Sequence, residues 1–135
     1  MTANRFADLA APSLDDFAQL AEAAFAALPK QFRDMAGEVV FRVSDFAEEE
    51  LLRDLDIPDP FELTGLYSGV DLGRRSVFNA PQASPMVFLF RRPILDEWAE
   101  HGEVSLGELI THVLVHEIAH HFGLSDDDIH HIESL

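Results

Sequence analysis

Two histidines four residues apart, with a glutamate beside the first, constrain this chain more than any other segment: His116-Glu117-Ile118-Ala119-His120. Residues four apart lie one turn from each other on the same face of an α-helix. On a helix, both imidazoles therefore aim at one point. Zinc accepts neutral imidazole nitrogens at about 2.0–2.1 Å, so the pair is a natural two-toothed ligand. Glu117 is rotated about the helix axis, and in such a motif it reaches the water at the metal rather than the metal itself. The flanks agree with a helix. Ser105 followed by Glu108 has the pattern of a capping box, and Gly123 is placed to end the helix in the left-handed conformation. Leu109 and Val113 extend the stripe of His116 and His120, which predicts that the pair faces the protein interior.

The chain has no cysteine, so disulfides and thiolate ligands are excluded. A metal must be held by His, Asp or Glu, which suits a catalytic zinc with an open position better than a closed structural one. Asp126 follows Gly123 by three residues, where a chain that turns back can return a third ligand to the metal. Asp126 also reads as the cap of a turn shared with Asp127 and Asp128. His130 is the substitute third ligand, whereas His112, His121 and His131 read as surface or supporting residues. Taken as ordinary core histidines, His116 and His120 would not need the glutamate between them.

The remaining pattern predicts a single domain over residues 1–135, large enough to bury a core without a staple. Residues 13–28 read as a helix capped by Ser13, with Asp15 and Asp16 in its first turn and Pro29 at its end. Its apolar face is Phe17, Leu20, Ala21, Ala24, Phe25 and Leu28. Strands are expected at 39–43, 63–70 and 86–90, the last bounded by Pro85 and Pro93. An acidic helical turn and loop is expected over 46–62, and a loop over 73–84. Tyr67, on the second strand, reads as core or rim, with oxyanion stabilisation as the alternative role.

Nine basic and 25 acidic side chains give a net charge of −16. A field of that sign repels phosphate backbones and anionic membranes, which argues against nucleic-acid and membrane partners. No stretch reaches the roughly 20 apolar residues of a membrane span, and the first residues do not pattern as a signal peptide. The expected location is therefore cytoplasmic.

The segment Val115-His116-Glu117-Ile118-Ala119-His120-His121-Phe122-Gly123-Leu124-Ser125-Asp126 resembles the short bacterial zincin-like metallopeptidases, which have a minimal matrix-metalloprotease-like domain. Gly65-Leu66-Tyr67-Ser68-Gly69, Arg75-Ser76 and Phe90-Arg91-Arg92-Pro93-Ile94-Leu95 match that family's order of elements. The resemblance implies a zincin-like, metzincin-like α+β fold, with a small mixed sheet packed on the active-site helix and an N-terminal helix. It implies one zinc per chain held by His116, His120 and Asp126, with Glu117 as general base, and a peptide or protein as substrate. Larger metzincins carry a methionine turn beyond the third ligand, whereas Met1, Met35 and Met86 all lie upstream of it here. Two functions follow as expectations: a zinc-dependent peptidase, or a catalytically idle zincin fold that binds peptide or protein. Zinc storage or sensing is a third.

Overall fold

A computed structural model describes residues 6–68 and 85–134. Helix α1 (Leu14–Ala26) opens on a capping box in which Ser13 Oγ accepts from the Asp16 N–H while the Asp16 carboxylate accepts from the Ser13 N–H. It ends two residues earlier than the sequence pattern predicts. Leu28 is still buried, and Pro29 leads into a second helix, α2 (Lys30–Ala36), that the pattern did not announce. Gly37, at φ +85°, ends α2 and admits strand β1 (Val40–Ser44). The acidic stretch forms a short helix, α3 (Glu49–Asp54), and a 3-10 turn at Pro60–Glu62, as expected.

Strand β2 (Gly65–Ser68) lies inside the expected 63–70, of which residues 69 and 70 are outside the described residues, as is the expected loop over 73–84. Strand β3 (Met86–Phe90) has the expected bounds. Helix α4 (Arg91–Glu100) follows it directly, with Pro93 in its first turn. A proline there loses no intrahelical hydrogen bond, so the residue expected to stop the strand instead helps begin a helix. Arg91 fastens this junction: Nε donates to the Pro12 carbonyl at 2.6 Å, and Nη1 pairs with Asp45 at 2.9 Å. Helices α5 (Leu106–His121) and α6 (Asp126–Glu133) complete the chain.

The sheet is mixed, in the order β1-β3-β2, with β1 parallel and β2 antiparallel to β3. Alternation on the central strand sends Val87 and Leu89 to one face and Phe88 and Phe90 to the other. The first face meets α1 and α5 in the main core; the second closes a smaller cluster with Ala47 and Leu52. Helix α5 is the centre of the molecule and touches α1, α4, α6, β2 and β3. Ile110, Leu114, Val115, Ile118 and Ala119 on it are fully buried. The fold is the α+β arrangement of a small mixed sheet with a metal-motif helix and an N-terminal helix.

Gly65 lets the sheet and α5 approach. A Cβ there would stand 2.8 Å from Val113 Cγ1 and 3.0 Å from the Phe88 carbonyl oxygen, whereas one at Gly102 would meet nothing within 4 Å. Overpacking a core typically costs about 1–3 kcal/mol. Gly65→Ala is expected to lower the unfolding free energy by about that amount in urea titration, with Gly102→Ala free of any such clash. Equal stabilities in the two variants would show that sheet and helix are not so closely packed.

Candidate metal centre

Helix α5 carries His112, His116 and His120 at intervals of four, so the three rings form one ladder along its surface. Adjacent rings are close, with centroids 4.0 Å apart for His112–His116 and 5.4 Å for His116–His120. What faces the ladder is decided by how α5 ends. Gly123 lies at φ +76°, its N–H donates to the His120 carbonyl at 3.0 Å, and the Leu124 N–H donates to Ala119 at 2.9 Å. This pair of bonds is a Schellman motif, and it turns the chain back on α5.

Ser125 then caps α6, and the partner in its capping box is Asp128. The hydrogen bond from the Ser125 N–H, followed by the Ser125 side chain, holds the Asp128 carboxyl below the usual carboxylate range. The capping role considered for Asp126 therefore falls to Asp128, and Asp126 turns its carboxylate toward His120. Ile129 is buried and Ile132 packs beside it, which sets α6 on the core. The opposite spacing, Asp126, His130 and Glu133, borders the histidine ladder. A cavity of about 260 Å³ between the helices is lined by His112, His116, Asp126, Ile129, His130 and Glu133.

Within it, Glu133 Oε1 lies 3.0 Å from His112 Nδ1 and 3.7 Å from His116 Nε2. Asp126 Oδ1 lies 3.9 Å from His120 Nε2. His116 is half-buried at the middle of the ladder. Burial first, and then the neighbouring His112, hold its pKa below the ordinary histidine value, favouring the neutral ring that binds metals. Glu117 is half-buried one position round the helix, and burial pushes its pKa up, partly opposed by His120. His120 and Asp126 are exposed.

The expectation that the histidine pair faces the interior is corrected here. Leu109 and Val113 are buried, but the His120 side chain is 55% exposed, where the stripe faces α6, a helix of eight residues. Tyr67 is core: it is buried, its hydroxyl donates to the Ala36 carbonyl at 3.2 Å, and its ring meets the His121 ring edge-on.

Two cavity residues escaped the sequence reading. The sequence pattern reads His112 as a surface or supporting residue and gives Glu133 no role, yet both line the cavity. The signals were present as spacing: His112 stands four before His116, and Glu133 seven after Asp126 on a helix that a Ser125…Asp128 capping pattern announces. The donor set is nitrogen and oxygen throughout, with imidazoles and carboxylates converging on one open cavity. That chemistry fits a zinc ion that keeps a free position.

A family model described as zincin-like metallopeptidase matches residues 36–135. The chain belongs to the zincin-like metallopeptidase family. The matched region runs from the end of α2 through α6 and contains the whole histidine ladder and both carboxylates that face it. No curated protein matches the chain. Membership implies a metal, usually zinc, and suggests a peptidase.

A Cβ at Gly123 would meet no atom within 4 Å, so this glycine is required by its positive φ and not by space. Left-handed backbone costs a side-chain-bearing residue about 1–2 kcal/mol. Gly123→Ala is expected to lose about 1 kcal/mol in urea titration, and Gly123→Asn less, since asparagine tolerates that conformation. If alanine is no worse than asparagine, the Schellman turn does not set the α5–α6 angle.

Proposed function

We propose that the chain is a zinc-dependent peptidase in which His116, His120 and Asp126 hold one zinc and Glu117 is the general base. The observation that carries this reading is Glu117. It sits beside the histidine pair, its side chain makes no hydrogen bond among the described residues, and it is held by burial in a state readier to take up a proton than an ordinary carboxylate. A purely structural metal has no use for a carboxylate in that position. When bound, zinc supplies Lewis acidity, polarising a scissile carbonyl and making water acidic enough to lose a proton near neutral pH. Glu117 accepts that proton and returns it to the departing amine. His116, kept neutral, offers its nitrogen without first shedding a proton.

A second groove, of about 570 Å³, runs between the end of α1, α5 and α6 and shares His112 and Glu133 with the metal cavity. It gives a peptide or protein substrate room beside the reacting centre. The net charge of −16 disfavours nucleic acid or an anionic membrane as partner. Among the described residues no helix is long and apolar enough to cross a membrane; a cytoplasmic location stays part of this reading. The second reading, an idle zincin fold that binds peptide or protein, is favoured by Glu133. A further carboxylate 3.7 Å from His116 Nε2 can complete the metal's coordination and leave no open position.

For the ligands, Asp126→Ala is expected to weaken zinc binding by more than about tenfold, since even outer-sphere partners are worth roughly 10–100-fold. Asp127→Ala is the control and leaves affinity near wild type. Isothermal titration with zinc reads both, and a reversal of the two results removes Asp126 from the ligand set.

For the base, Glu117→Gln keeps shape and zinc but removes the proton acceptor. Peptide hydrolysis should fall by about 10²–10⁴ with zinc affinity nearly unchanged. The assay incubates zinc-loaded wild type and variant with a mixed peptide library, read by mass spectrometry. Equal cleavage by both proteins would exclude Glu117 as the base, and cleavage by neither would favour the binding module.

A further inference from the structure

The tightest donor group is not the one the HExxH pattern names. Among the described residues, His112, His116 and Glu133 are the group of three whose candidate ligand atoms all lie within 4.8 Å of one another. Donors of a tetrahedral zinc at about 2.0–2.1 Å are spaced about 3.4 Å apart. The Glu133 oxygens lie 3.0 and 3.3 Å from His112 Nδ1, and Oε1 lies 3.7 Å from His116 Nε2. These separations bracket the spacing a metal needs, whereas His120 Nε2 and Asp126 Oδ1 stand 3.9 Å apart. The group is also open to solvent, with the His112 side chain 48% exposed, so a hydrated cation can enter.

We infer that His112, His116 and Glu133 form a second seat for a divalent transition cation, one helical turn before the HExxH seat and sharing His116 with it. The donors are two imidazole nitrogens and a carboxylate, which select zinc or cobalt over calcium or magnesium. His116 Nε2 binds one metal at a time, so the two seats fill in alternation. An ion on His112, His116 and Glu133 lies about one turn, roughly 5.4 Å, along α5 from the HExxH seat and away from Glu117. The N-terminal seat therefore stores the ion in an idle position, and transfer to His120 and Asp126 brings it beside the base. The inference rests on the zinc reading for its second half alone, because the donor group exists whether or not His120 and Asp126 bind.

The test removes each seat separately. All four substituted side chains are exposed, or nearly so, and none belongs to the core, so circular dichroism is expected to match wild type throughout. Zinc and cobalt(II) are titrated by calorimetry, and the cobalt complexes are also read by their visible spectra. Wild type should take one equivalent. His120→Ala/Asp126→Ala, which lacks the HExxH seat, should still take one equivalent, about tenfold or more weaker, with an altered cobalt spectrum. Adding His112→Ala and Glu133→Gln to that background should abolish binding, and calcium should bind to none of the variants. If His120→Ala/Asp126→Ala takes no metal while wild type takes one, the second seat is overturned and the peptidase reading stands. If wild type takes two equivalents at once, alternation through His116 is overturned. If wild type takes none, both readings fall.

Discussion

The buried side chain of Ile129 decides the chemistry of this molecule. It fixes α6 against the end of α5 with 2% of its surface exposed, helped by Ile132 at the next turn. With that face committed to the core, Asp126, His130 and Glu133 are left to border the histidine ladder. The two carboxylates could be replaced without disturbing the core, but the apolar contacts beneath them could not. The site is thus a polar lining on an apolar joint, and its spacing is set by the Gly123 turn and the Ser125 cap. Helix α6, with eight residues, is too short to hold its position alone, since helices of this length are marginal in water without tertiary packing.

How much of this was legible in the sequence depended on whether a signal was local. The boundaries of β3, the caps at Ser13 and Ser105, and the left-handed Gly123 were legible because each follows from chemistry within three or four residues. Helix α4 was not, because Met86–Phe90 passes into it without a turn residue, and Pro93 has opposite meanings as a strand stop and a first-turn helix residue. Helix α6 was hidden by Asp126-Asp127-Asp128, which pattern as a turn, although acids are equally at home where a helix dipole begins. With α6 unseen, Glu133 had no reason to be near His112. The inward direction given to His116 and His120 failed for a different reason. Periodicity identifies a stripe, but which part of it lies under cover depends on the neighbours, and at His120 the stripe emerges on the exposed side of α5.

The same geometry explains why acidity does not empty the cavity of its histidines' basic function. The chain is strongly acidic, yet around His116 the local field is balanced: Glu133 and Asp126 favour its charged form, and burial, His112 and His120 oppose it more strongly. The neutral ring prevails, and it is the neutral ring that ligates. The carboxylates border the cavity without keeping the imidazole protonated.

His116 and Glu117 also divide the cavity in a way that links its two halves. His116 feels the charges of His112 and Glu133 on one side and of His120 and Asp126 on the other, so it is the electrostatic centre of the ladder. Glu117 feels His120. Glu117 is thereby associated with the C-terminal half of the ladder, although the N-terminal half has the more closely spaced donors. A metal held by the N-terminal group would lie one turn from the residue that could use it. His116 stands in both groups, and the other four donors sit on α5 and α6.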